Sequence, residues 1–212
     1  MSAEAKLAKL GIRSRFDLVL HLPLRYEDET ALSAPRLAPA GKPVLVEAAV
    51  LRAEVAYRPR RQLVVHAECN GEPLALRFFN FYGSQLKQFE RAAEQGQRVR
   101  AFGEVRAGWF GAEMAHPRYR IVREGEPLET ALTPIYPTTS GLGQQSLRKR
   151  VLQALAEAEL EDTLPAAILE RYGLARFGES VRLLHLPPPG TDLASLAERT
   201  HSAWQRMKFD EL

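Results

Sequence analysis

The 212-residue sequence predicts an α+β fold: a five-stranded antiparallel barrel, preceded by short helices and followed by a linker and further helices. Three observations predict it. The apolar residues change to a period of 2 at residue 43 and keep it, with one interruption, to residue 122. Between two of the alternating runs stands Asn70-Gly71, a strong hairpin signal because both residue types tolerate positive φ. The interruption is a single helical segment, so the order is β-β-β-α-β-β, the pattern of the OB-fold barrel.

Each element has a local reason. Residues 3–10 read as a short helix ended by Gly11, a natural left-handed cap. Ser14 opens a second helix, with Asp17 three residues later as its capping-box partner; Pro23 stops it, and residues 25–30 follow as a charged turn. Strands are expected at 43–55, 61–69 and 72–81. Ser84 then caps a helix running to about Gln95, with Leu86, Phe89, Ala92 and Ala93 on one side and Gly96 at its stop. A fourth strand spans 97–108 and a fifth 111–122, joined by the loop Gly108-Trp109-Phe110-Gly111. Residues 123–143 are rich in Pro, Thr and Gly and read as an extended linker. Helices are expected at 144–159, after Pro165, over 179–186, and from Asp192 to the end of the sequence. The last carries Leu193, Leu196, Trp204 and Met207 in one stripe, which predicts a partner surface. Four segments result: 1–42 helical, 43–122 the barrel, 123–143 the linker and 144–212 helical.

Composition narrows the class. An apolar fraction of 45% and a charged fraction of 26% suit a soluble globular protein. No run approaches the roughly 18 apolar residues that a membrane helix needs. The N-terminus lacks the apolar stretch of a secretory signal. A single cysteine, Cys69, excludes an internal disulfide and a cysteine-based zinc site, and fits a reducing cytoplasm. The net charge is +3, unevenly distributed: residues 43–122 hold 12 Lys/Arg against 8 Asp/Glu, whereas residues 123–212 hold 10 against 13. Of the 29 basic residues 23 are arginine, whose planar fork suits phosphate. A bias toward arginine codons explains that ratio equally well, but not the clustering.

The clustering falls where an OB barrel binds its ligands, on the face of strands two and three and on the loops joining strands one to two and four to five. The first loop reads Tyr57-Arg58-Pro59-Arg60-Arg61; the second holds Trp109 and Phe110, with Arg106 just before. In the third strand, alternation places Leu74, Leu76 and Phe78 on one face and Ala75, Arg77, Phe79 and Phe81 on the other. The first set is a core face. Arg77 makes the second the wetter one. The fourth strand repeats this, with Arg98, Arg100, Glu104 and Arg106 opposite Val99, Ala101 and Val105. Exposed rings among arginines form a stacking platform for nucleic-acid bases. Ordinary core packing is the competing role of each aromatic, and it is assigned to Phe78 and Phe89. Tyr82 stands at the turn into the helix.

No catalytic motif is present: no phosphate loop, no G-x-G-x-x-G, no H-E-x-x-H. The five histidines show no metal-ligand spacing. Neither a metal nor a catalytic residue is expected within these residues.

Several stretches together resemble the N-terminal part of the bacterial RecG helicase family. They are "LGIRSRFDLVLHLPLRYEDET" (10–30), "LRFFNF" (76–81), "GAEMAHPRYR" (111–120), "LTPIYPTTSGLGQQSLRKRV" (132–151), "LPAAILERYGL" (164–174) and "AWQRMKFDEL" (203–212). The resemblance implies the wedge region of an ATP-driven helicase that remodels stalled forks and Holliday junctions in recombination and repair. Its OB-type domain splits strands at the branch point. It implies base stacking by Phe79, with Phe81 or Tyr82 as the second ring. ATP and Mg²⁺ belong to a motor that these residues lack, so the chain is expected to be a fragment or a shortened product, inactive alone and monomeric. The alternative is an OB-type interaction module that binds an acidic peptide, for example from a single-strand DNA-binding protein.

Overall fold

The computed structural model describes residues 2–108 and 111–211. In chain order the elements are α1 (Ala3–Ala8), α2 (Arg15–Val19), β1 (Arg25–Glu27), β2 (Pro43–Ala56), β3 (Gln62–Cys69), β4 (Glu72–Phe78), α3 (Gly83–Glu94), β5 (Arg98–Gly108), β6 (Gly111–Ala115), β7 (Arg118–Val122) and β8 (Thr133–Ile135). Five helices follow: α4 (Gln144–Glu157), α5 (Ala166–Tyr172), α6 (Phe177–His185), α7 (Leu193–Ala197) and α8 (Ser202–Asp210). They form two compact units. Asp28–Leu128 make one; the segments up to Glu27 and from Glu129 make the other.

In the first unit β2 pairs with β3, β3 with β4, β5 with β6 and β5 with β7, all antiparallel. β2 is long enough to serve two neighbours. Its start, Pro43–Ala49, pairs with β5, and its later part pairs with β3 across a register shift between Val50 and Arg52. Such an irregularity bends a strand. The pairing series β2-β3-β4-β6-β5 therefore returns to β2. Inside it lie Val46, Ala48, Val50, Leu63, Val65, Leu74, Leu76, Phe78, Val99, Ala101 and Met114, with Phe89 and Ala92 of α3 packed among them.

Two expectations about this sheet are corrected. It is mixed rather than antiparallel, because β4 and β6 run parallel, Leu74 beside Ala112 through Arg77 beside Ala115. A parallel pair needs a long crossover, and α3 with β5 supplies it. It also has six strands rather than five. The expected strand 111–122 breaks at His116, which has φ +49°, and at Pro117, which has no N–H to give a ladder. The hairpin at Asn70-Gly71 is as predicted, with φ of 53° and 82° in a two-residue turn.

In the second unit the segment read as a linker contains β8, which pairs antiparallel with β1. Leu132, Thr133, Ile135 and Tyr136 are buried there. The Gln144 side chain accepts from Tyr136 N–H at 3.0 Å and donates to its carbonyl at 2.6 Å, as a neighbouring strand would. Three-residue strands paired across a hundred residues leave no period to read. The charged turn at 25–30 likewise begins as β1.

The Ser14–Asp17 capping box forms as predicted. The final helix, expected as one, is two. Arg199 takes φ +57° between them, Asp192 caps α7, and the His201 ring accepts from Ala203 N–H at 3.2 Å to cap α8. Its stripe is covered from within the unit: Leu196, Trp204 and Met207 pack with Val19, Leu132 and Leu184, and of the four only Leu193 is exposed. Arg206 of α8 is fully buried yet satisfied, donating to Asp162, Thr163, Asp210 and the Ala175 carbonyl. Among the described residues no helix is long and apolar enough to cross a membrane.

Candidate nucleic-acid interface

The hairpin β3–β4 brings two loops together. Leu63 at the start of β3 faces Phe78 at the end of β4. The residues before one and after the other, 57–61 and 79–82, must therefore emerge side by side. They meet ring to cation. The Arg60 guanidinium carbon lies 3.7 Å from the Phe79 ring centroid, and that of Arg61 lies 4.3 Å from the Phe81 centroid. Each such contact is worth about 0.5–1 kcal/mol when exposed, enough to bias a side chain without fixing it. Tyr57 and Tyr82 flank the pair, 72% and 82% exposed.

Neighbouring residues 78 and 79 have opposite fates. Phe78 points inward, its ring 5.9 Å from that of Phe89 and 5.4 Å from that of Tyr119. Phe79 points outward, and its backbone N–H donates to His116 Nε2 at 3.1 Å. The His116 backbone N–H in turn donates to the Arg77 carbonyl at 2.8 Å. The imidazole meets the Phe79 ring edge to face, with centroids 5.1 Å apart.

A second set of bonds holds the other loop. Buried Gln62 donates through Nε2 to the Arg58 carbonyl at 3.2 Å. Its Oε1 faces Arg77 Nη1 at 3.4 Å, and Arg77 Nε donates to Glu113 Oε2 at 2.8 Å. The chain of contacts runs from β6 through β4 and β3 to the loop. Arg77 thus braces the loop rather than standing open beside the rings.

The structure sorts the remaining expected residues. Arg98 and Arg100 do lie opposite the core face, but both are paired there with one carboxylate. Each donates through Nε to Glu47, at 2.7 and 2.6 Å. Glu47 stands directly across from Arg100 in the β2–β5 register. Arg100 also donates to the carbonyls of Pro127 and Glu126, which leave it 3% exposed. Both arginines, expected at a nucleic-acid backbone, are thus already engaged within the fold, by a carboxylate more than 50 positions away that strand alternation does not reveal. Burial pushes the Glu47 carboxyl up, but the hydrogen bonds and charges of Arg100 and Arg98 outweigh it and leave the group below its ordinary value. Arg106 is exposed and pairs with Glu104 at 2.7 Å. Trp109 and Phe110 lie outside the described residues.

β4 ends at Phe78, so alternation does not govern Phe81. Phe81 is half-buried against the core with Arg61 over it. Tyr82, not Ser84, occupies the cap position of α3. Arg58, Arg60 and Arg61 are exposed, and among the described residues no carboxylate pairs with them. Sequence reasoning missed His116, Gln62 and Glu113. Only His116 left a trace, as the residue before the proline that interrupts the last alternating run.

The site can therefore offer aromatic rings together with guanidinium groups that no carboxylate among the described residues pairs with. That is chemistry for unstacked bases and phosphates. Among the described residues no cluster of His, Cys, Asp or Glu could hold a metal ion.

A closed mixed sheet thus presents rings and arginines at one end of a hairpin. The family described as the RecG wedge domain matches residues 2–157. The ATP-dependent DNA helicase RecG of Haemophilus influenzae is 42% identical over 213 residues, covering 98% of this chain and 30% of the relative. The Escherichia coli K12 protein of that name is 37% identical over 214 residues, with the same coverage. A solved structure of RecG bound to a three-way DNA junction is 24% identical with a TM-score of 0.66, covering 92% of this chain and 27% of that one. At that identity the likeness is one of fold. The chain belongs to the RecG wedge-domain family, and it spans about 30% of the length of these curated relatives.

Proposed function

We propose that this chain is the branched-DNA-binding wedge of a RecG-like helicase, acting as a steric separator of strands at forks and Holliday junctions in recombination and repair. On this reading the closed sheet is an OB-type barrel. The ATP- and Mg²⁺-dependent motor belongs to the rest of the protein, and the work is done in the cytoplasm, where the DNA is. The observation that carries the reading is the outward Phe79 ring with Arg60 stacked on it, beside a loop of unpaired arginines. Separating strands strips two bases of their neighbours at the branch point. A ring face replaces that stacking at about 1–3 kcal/mol per base, for any base. Arg58, Arg60 and Arg61 engage phosphates without reading sequence. For the second stacking ring the exposure of Tyr82 favours it over Phe81, which is half-buried against the core.

Binding of Phe79→Ala to fork and to plain duplex, measured side by side by anisotropy, tests the reading. Fork affinity should fall by a factor of about 10 or more, from the loss of one stacked base, while duplex affinity changes little. Equal losses on both substrates, or wild-type binding with no fork preference, would remove the wedge role.

A further inference from the structure

We infer that His116 is the positioning residue of the Phe79 ring. The inference rests on the wedge reading for its consequence, but its geometry stands apart from it. Phe79 follows the last residue of β4, so no ladder bond holds its backbone. His116 supplies the missing bond, its Nε2 accepting from Phe79 N–H at 3.1 Å. It is itself tied to the same stretch, its N–H donating to the Arg77 carbonyl at 2.8 Å. The imidazole also stands at 60° to the Phe79 ring and at 87° to the Phe78 ring, touching the pair where one turns in and the other turns out. One residue therefore contacts both the peptide and the ring of Phe79.

The backbone of His116 gives a second argument. A non-glycine residue at positive φ is uncommon and strained, although histidine is among the types that tolerate it best. His116 holds φ +49° immediately before buried Pro117. That conformation ends β6 and turns the imidazole toward residue 79 instead of continuing the strand. The acceptor role requires a neutral imidazole with its proton on Nδ1, since an imidazolium has only donors.

Two substitutions separate the contributions, and the strain at positive φ is similar in both. His116→Gln keeps an acceptor at comparable reach; His116→Phe keeps a ring but no acceptor. Amide hydrogen exchange at Phe79 is followed by NMR, with Leu76 and Val65 as internal controls, alongside fork and duplex affinities. In His116→Phe the Phe79 amide should exchange several-fold faster with the controls unchanged. The fork-to-duplex affinity ratio should drop roughly three- to tenfold, the scale of one hydrogen bond. His116→Gln should restore most of both. Unchanged exchange at Phe79 in His116→Phe overturns the inference, and so does faster exchange with an intact fork preference. Uniform loss of protection at the controls would make His116 a fold-determining residue instead and overturn it too. If the wild-type chain shows no fork preference, the wedge reading fails, and the amide measurement still decides whether His116 positions the ring.

Discussion

Two groups of arginines on the same sheet make the most instructive comparison. Arg98 and Arg100 on β5 and Arg58, Arg60 and Arg61 before β3 are alike in type, and both groups lie outside the core. Arg98 and Arg100 share one carboxylate, Glu47, and Arg100 is further covered by two carbonyls. Arg60 and Arg61 lie over rings, and among the described residues no carboxylate pairs with any of the three loop arginines. The difference is one of neighbours. A strand position in a closed sheet faces other strands at fixed register, so a charge there is stable only if its opposite is built across from it. A hairpin tip has no such neighbour and can leave its charge to a partner. Basic residues in a binding fold are therefore not interchangeable evidence of binding; those that already have a carboxylate hold the fold.

The largest effect should come from breaking the paired group. Glu47→Ala strands Arg98 and Arg100 without their counter-charge, which typically costs about 3–5 kcal/mol for a buried pair. Thermal unfolding should show that loss in the unit containing the sheet. A shift no larger than that of a surface variant would place these arginines with the loop group after all. Next comes acid. The folded Glu47 carboxyl lies below its ordinary value of 4.5, so the unfolded chain binds the proton more readily. The stability it confers is then complete above about pH 4.5 and is lost as pH falls through the lower folded value. Glu47→Gln should flatten that part of an acid-unfolding curve. The smallest effect on stability belongs to the loop. Arg60→Ala and Arg61→Ala should each change folding by less than about 1 kcal/mol. On DNA, each should lower the salt dependence of binding by roughly 0.9 in log–log slope, one phosphate contact apiece. A salt slope that falls in an Arg98 variant but not in these would reverse the comparison.

The comparison also marks how far the sequence could be read. The hairpin at Asn70-Gly71, the core face Leu74-Leu76-Phe78 and the α3 stripe were legible because each is decided within a few residues, by backbone preference or by period. The placement of Phe79 opposite Phe78 was legible from alternation, but its partner was read as Arg77, and the contact with Arg60 was not foreseen. Alternation lost its meaning at Phe78, where the strand ends, and so could not place Phe81 or Tyr82. It placed Arg77 opposite the core face but could not see Glu113, which lies 36 residues away and reaches Arg77 from β6, the parallel neighbour of β4.

The sequence by itself determined the strand and helix periods, most turns, the position of the arginine-rich loop and the membership of the two sides of β4. It did so because these depend on local backbone preference and on residue spacing. Only the tertiary structure decided which arginines are paired with a carboxylate, that the segment read as a linker contains a buried strand, that most of the final apolar stripe is already covered, and that His116 sits against Phe79. Each of these is a contact between segments far apart in the chain. Its existence is set by register, strand direction and burial, which no window of neighbouring residues contains.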